Sequence, residues 1–283
     1  MFQTPFRHPP APRVVLGFCA AVLCLVRPAA ATERHFGYTY ESGVLNPGKA
    51  ELEPWTTWRF GRADYFSRFD QRIEFELGVI QNLQTAFYWN FEAKSEDVTV
   101  TDATTNPPTT KLERQTELAF ASVSSEWKYK LMDPMADPLG FALYFEGSLG
   151  PVEAELEGKL IFDKRLKSVL LAANLVGEYE WEFDQPDKTV REATLELDLA
   201  AGYFLNPRFS VGLELRPVFE FEGLDFEHAE MYAGPTLGYA SERWWAALSI
   251  MPQAFAFKGA TSGNQNLESQ ERVQTRVLMG MDL

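Results

Sequence analysis

The chain has 283 residues, with 26 Lys and Arg against 40 Asp and Glu, a formal net charge of −14. That balance argues against nucleic acid as a partner. Beyond residue 31 no stretch approaches the ~18 apolar residues of a helical span, so a membrane-resident form of this chain has to be a β-barrel.

Arg7 and Arg13 precede an apolar run from Val14 to Val26, followed by Arg27, Pro28 and three alanines ending at Ala31. This pattern predicts a secretory signal peptide over residues 1–31, cleaved after Ala31. Cys19 and Cys24 both lie inside it, and neither follows the small residue of a lipoprotein cleavage box, so the mature chain is expected to lack cysteine. Three basic and no acidic residues fall in this segment, leaving 23 positive against 40 negative charges, a formal −17. Residues 32–49, ending in "NPG", are too polar for a membrane strand; a periplasmic leader into the first strand is preferred over a plug tucked into the lumen.

From residue 50 to residue 283 the dominant hydrophobic period is two. In "RFDQRIEFELGV", Phe69, Ile73, Phe75, Leu77 and Val79 oppose Arg68, Asp70, Arg72, Glu74 and Glu76. Such runs read as half-buried strands. Twelve are predicted, near 50–61, 66–79, 83–95, 113–131, 139–149, 151–163, 168–183, 190–205, 209–222, 228–240, 243–257 and 269–283. The expected fold is all-β: a transmembrane antiparallel up-and-down barrel of about 12 strands with both termini periplasmic. Short turns near Asn82, Asp133, Lys164, Pro207 and Ser241 then fall on the periplasmic side, and the long gaps 95–112 and 258–269 on the outer side.

Aromatics on the apolar faces form two expected girdles, with Trp58, Trp89, Tyr179 and Trp181 at the outer interface and Trp127, Tyr129, Tyr203, Tyr239 and Trp244 at the inner one. A secreted β-sandwich would alternate in the same way with its apolar face turned inward. The strand number, the girdles and the one-sided long loops favour the membrane barrel.

Several stretches, including "FGYTYESGVLNPGKAELEPWTTWRFGR" (36–62), "RIEFELGVIQNLQTAFYWN" (72–90), "SSEWKYKLMDPMADPLGFALYFE" (124–146), "LAANLVGEYEW" (171–181) and "RWWAALSIMPQ" (243–253), resemble a family of bacterial outer-membrane barrels of unknown function. The resemblance implies an architecture and brings no activity or site residues. The chain end, with Val277, Met279, Met281 and Leu283 at alternate positions, resembles the signal by which Gram-negative barrel-assembly machinery recognises its clients, although Leu283 stands where an aromatic is usual. Expected partners are outer-membrane lipid and lipopolysaccharide, that machinery through the C-terminal strand, and small solutes. The expected location is the bacterial outer membrane.

The polar face carries the functional expectation. Glu74, Glu76, Arg72, Glu126, Lys128, Glu155, Glu157, Lys159, Glu178, Glu196, Asp198, Glu214, Arg216 and Arg276 should line the lumen. Carboxylates predominate, so an open lumen would favour cationic or neutral solutes in a passive channel or uptake pore. Equally, opposed charges could form salt bridges that block a barrel of this size and leave it a structural or surface-interaction role. Inward Tyr88, Tyr144, Phe204, Tyr232, Trp245 and Phe255 would narrow the bore.

An enzyme is not expected, and an outer-membrane hydrolase is the third reading. After the signal segment only His35 and His228 remain as general bases; His228 has Asp225, Glu227 and Glu230 beside it and no serine nearby, which reads as a solvated rim histidine. No cofactor is expected. Two histidines do not make a histidine-rich metal site, and acidic clusters such as Glu178, Glu180 and Glu182 read as a solvated face.

Overall fold

Apolar residues at every second position leave each strand with one face for hydrocarbon and one for polar company, and no flat sheet could satisfy its edges there. The computed structural model describes residues 33–102, 104, 107, 109–185 and 188–283; the signal-peptide expectation over 1–31 lies outside these residues. The described residues form twelve strands: β1 (Ala50–Phe60), β2 (Phe66–Ile80), β3 (Leu83–Asp102), β4 (Thr109–Met132), β5 (Gly140–Leu149), β6 (Glu153–Leu166), β7 (Val169–Gln185), β8 (Lys188–Phe204), β9 (Phe209–Glu222), β10 (Asp225–Ala240), β11 (Trp244–Lys258) and β12 (Val273–Asp282). Each pairs antiparallel with its sequence neighbours, and β1 pairs with β12, so the barrel is closed. Both ends of the barrel chain emerge at one end, the turn end, which also carries the β2–β3, β4–β5, β6–β7, β8–β9 and β10–β11 connections.

Polarity is inverted relative to a soluble sandwich. Glu51, Glu126, Glu214 and Glu230 are no more than 1% exposed, while Leu175 is 51% and Leu213 63% exposed. The register sets Leu143, Leu160, Leu175 and Leu197 side by side as an outward apolar belt across β5–β8. The nine expected interface aromatics also lie on the outer wall, some in contact: Trp58 stacks on Phe69 at 5.5 Å, Tyr179 meets Trp181 at 4.7 Å and Tyr239 meets Trp244 at 4.7 Å.

At the seam Trp245 Nε1 donates to Glu51 Oε1 at 2.6 Å, beneath Gly280 of β12. A Cβ on Gly280 would overlap both the Trp245 ring and the Glu51 carboxylate, so only glycine lets β12 lie over this bond.

Three details differ from the sequence expectation. The gap at 95–112 is mostly strand: β3 and β4 pair out to Asp102 and Thr109 as a two-stranded ribbon, because alternating Thr and Val favour extended backbone. Arg114 joins that ribbon by pairing with Asp97 at 2.9 Å and covering the Tyr65 ring. The 258–269 segment turns into the barrel mouth, as described below. Phe255 faces outward, not inward: it packs on Phe257, which stacks on Phe219, because the β10–β11 register slips near Met231 and inverts the side-chain parity.

Two outcomes test this arrangement. Leu175→Arg, in the middle of the outward leucine belt, should cost about 2–4 kcal/mol in unfolding from lipid vesicles, with Leu175→Phe near neutral. Gly280→Ala should lower the temperature at which the barrel loses its compact mobility on an SDS gel, with about 1–3 kcal/mol lost to overpacking at the seam.

Candidate functional site

Residues 33–45, expected as part of a periplasmic leader, instead run across the lumen at the turn end and form a floor. The sequence signal was present but faint: Phe36, Tyr38 and Tyr40 alternate like a strand, and each fills an apolar gap between inward polar residues. Phe36 packs on Leu170, Ala172 and Ala200; Tyr38 on Val218, Tyr232 and Met251; Tyr40 on Ala142, Tyr144 and Ile161.

The backbone of this segment has no sheet partner, so the wall supplies acceptors. Glu214 receives the N–H groups of Gly37 at 3.0 Å, Tyr38 at 2.9 Å and Thr39 at 2.9 Å. Asn174 accepts from Tyr40 N–H at 2.6 Å and donates to its carbonyl at 2.9 Å. Leu45 N–H reaches Gln84 at 2.9 Å, and the chain then turns at Gly48 into β1. A side chain at Gly37 would run into Ser249, so the floor sits this close to β11 only with glycine there. Arg34 pairs with Glu53 at 3.1 Å, and His35 is held by Glu41 at 3.1 Å.

From the other end, the segment 259–272 folds inward. Asn266 donates to Glu230 at 2.7 Å, Gln270 to Glu220 at 2.8 Å, and Leu267 is 1% exposed. Glu271 takes Arg59 at 3.2 Å, which fastens the segment across the mouth to β1. Its polar residues gain inward partners that a loop in solvent would lack.

Above the floor, lined by Tyr38, Tyr40 and the inward faces of the wall strands, lies a chamber of about 300 Å³. Arg276, Arg59, Arg68 and Arg72 project from β12, β1 and β2; across the barrel, β6 and β7 present Glu153, Glu155, Glu157, Glu178 and Glu180. Register explains the acidic wall. One continuous row of paired positions reads Glu51, Glu76, Ala86, Glu126, Glu146, Glu157 and Glu178, and the neighbouring row includes Glu155, Glu180, Glu192 and Glu222. Opposed like charges are unfavourable, so cations are recruited: Arg216 pairs with Glu196 at 2.5 Å, Lys159 with Glu157 at 3.0 Å and Arg72 with Glu146 at 3.5 Å. In the chamber two features stand out. Glu155, Glu178 and Glu180 bring carboxylate oxygens within 4.8 Å of one another, each outside the ion pairs described above. Arg276 has no carboxylate; it donates to Thr57 at 2.8 Å and lies against Tyr38 and Trp55 at 3.9 and 4.1 Å from the ring centres.

All fourteen predicted lumen residues face the interior, at three levels. Arg72, Glu155, Glu157, Lys159, Glu178, Glu196, Asp198, Arg216 and Arg276 line the chamber. Glu214 holds the floor, and Glu74, Glu76, Glu126 and Lys128 are buried beside it on β2 and β4. Sequence patterning missed Arg34 and Asn266, which lie outside the predicted strands, and Glu271, which the predicted run 269–283 put on the face opposite Arg276; the observed β12 begins only at Val273. His228 is not a solvated rim residue; it is 8% exposed, with Nδ1 at 3.1 Å from Glu230 and Nε2 at 3.2 Å from Glu220. Both ring nitrogens face carboxylates.

Comparison with solved structures places this geometry. The NanC porin superimposes with a TM-score of 0.52 at 11% identity, covering 82% of this chain and 100% of that chain. The β domain of the Bordetella autotransporter BrkA gives 0.45 at 9% identity, covering 84% and 100%; OmpT, an outer membrane protein of Vibrio cholerae, gives 0.33 at 6% identity, covering 83% and 96%. The likeness to NanC is one of fold. No curated protein matches the sequence. The family model described as "Family of unknown function (DUF6662)" matches residues 28–173 and 156–283, so nearly the whole barrel is accounted for, and the chain belongs to that family, with the fold of a bacterial outer-membrane barrel.

Proposed function

We propose that this protein resides in the bacterial outer membrane with both termini periplasmic and admits small polar solutes, cations preferentially, through a lumen gated by its own floor. The observation that carries this reading is the chamber whose basic wall faces an acidic one, with Glu155, Glu178 and Glu180 unpaired. Opposed rows impose a transverse field that orients a dipolar solute, and the surplus of carboxylates attracts cations. Lipid and lipopolysaccharide surround the apolar belt, and the C-terminal strand is the handle for the assembly machinery. Catalysis forms no part of this reading.

A second reading, a closed barrel with a structural role, draws on the floor: three N–H groups on one buried carboxylate make a firm seat. Planar-bilayer recordings separate the two. Cation-preferring steps support the conduit; silence from folded, heat-modifiable protein, and from the floor variant below, would sink it.

Glu214→Ala strips the acceptor from the buried N–H groups of Tyr38 and Thr39, at about 1–3 kcal/mol each, and leaves Gly37 only Ser249. It should therefore raise open probability by an order of magnitude or more, with little change in lipid-exposed stability. Converting Glu155, Glu178 and Glu180 together to Gln should move the reversal potential in a salt gradient toward zero selectivity while single-channel steps persist.

The floor should also respond to pH. Burial disfavours charge on His35, but the charge and hydrogen bond of Glu41, helped by Glu33 and opposed by Arg165, hold its pKa above the ordinary imidazole value. Burial likewise pushes Glu41 up, yet His35 brings it below the usual carboxylate range. The raised histidine stabilises the folded floor below its ordinary pKa of ~6.5 and loses that contribution as pH rises through the folded value. The depressed carboxylate contributes above ~4.3 and loses it as pH falls. Opening events should accordingly be rarer near about pH 6 than near about pH 9, and a His35→Gln variant should flatten that difference.

A further inference from the structure

We propose that Glu74, Glu76 and Glu126 form a binding site for a hard divalent cation of the calcium class, buried beside the floor and separate from the chamber. The inference goes beyond solute passage and does not depend on it. Glu74 and Glu76 stand two residues apart on the inward face of β2, and Glu126 stands on β4; the β3 position paired with both Glu76 and Glu126 is Ala86. A methyl group is thus all that separates the two acidic strands at that level. One carboxylate oxygen from each glutamate lies within 4.8 Å of the others. Calcium holds oxygens at 2.3–2.6 Å, so two ligands on opposite sides of the ion stand about 4.6–5.2 Å apart, the span present here.

Burial and an orphaned oxygen point to a missing charge. Glu74, Glu76 and Glu126 are 2%, 6% and 1% exposed. Glu126 Oε2 accepts the Tyr88 hydroxyl, while Glu126 Oε1 is buried with no hydrogen-bond partner. A buried carboxylate oxygen without a partner is costly. The local charges do not balance either. Glu53 completes a group of four carboxylates, met by Arg34, which pairs with Glu53 at 3.1 Å, and by Lys128, which is 4% exposed on β4. Four negative charges against two positive leave a deficit that one divalent cation cancels.

The donor set chooses the ion. It is all oxygen, without imidazole or thiolate, which selects hard cations over transition metals. Three carboxylates able to bind in one- or two-oxygen mode suit the flexible coordination of calcium, whereas magnesium demands near-octahedral geometry and keeps several waters. The bound ion would tie β2 to β4 and relieve the repulsion against which Arg34 holds the floor.

The test uses the full chain purified from membranes in detergent. Elemental analysis should find about one calcium per chain, terbium should bind with luminescence sensitised through Tyr88, and calcium should displace it. Prolonged EDTA treatment should lower the thermal unfolding midpoint, and calcium but not sodium should restore it. Glu126→Gln and, separately, Glu74→Gln should fold yet lose the ion, the terbium signal and the EDTA response. Two results overturn the proposal: wild-type protein without calcium whose unfolding ignores both EDTA and calcium, which would assign the missing charge to protons, or a Glu126→Gln barrel that retains the ion at full occupancy. Since the readouts are metal content and unfolding, a barrel that conducts nothing leaves this result intact, and a metal-free barrel leaves the conductance result intact.

Discussion

Hydrocarbon offers no partner to a backbone N–H or carbonyl, and that constraint shapes everything else in this molecule. It obliges β1 and β12, at opposite ends of the barrel chain, to pair along Glu51 to Phe60. Closure then creates a sealed interior, and because side chains alternate, every residue that cannot face lipid is delivered into it. The lumen is the enclosed remainder of a solution to the edge problem.

That interior must be made tolerable for many carboxylates. The hydrogen-bonding register lines them into rows, and a row of like charges in a partly desolvated space is unfavourable unless countered. The protein counters it in three ways: arginine and lysine reach in from neighbouring strands, backbone N–H groups of the floor settle on Glu214, and polar side chains of the inward loop take Glu220 and Glu230. Floor and wall are therefore interdependent. The floor needs acceptors because it lacks a sheet partner, and the wall needs donors because the register placed acids there. Where these devices stop, carboxylates remain without an ion pair, in the chamber at Glu155, Glu178 and Glu180 and beside the floor at Glu126.

Most of the architecture was legible in sequence because a strand between lipid and lumen must write its orientation at every residue. Predicted strands such as 209–222 coincide with the observed one, and the fourteen lumen candidates all point inward. The misreadings have separate physical causes. Residues 33–45 lie inside the barrel, and 259–272 send Asn266, Leu267 and Glu271 into its mouth, so neither segment divides into a lipid face and a lumen face. Beyond the barrel rim the same period loses its meaning, and the β3–β4 ribbon was read as loop. Phe255 was misdirected by a bulge, which reverses parity without leaving a mark in composition.

Sequence by itself determined the strand number, the face of nearly every side chain and the acidic excess of the interior, since local alternation responds directly to a two-solvent environment. Tertiary structure alone decided which charges meet. The pairing of Glu76 and Glu126 across Ala86, the facing of Arg276 toward β6 and β7, and the seating of the N-terminal segment on Glu214 all depend on register and closure. Those are set by contacts between residues far apart in the chain, 177 positions from Gly37 to Glu214 and 239 from Gly37 to Arg276. A period of two fixes the side on which a residue lies, but only the closed sheet fixes its neighbours.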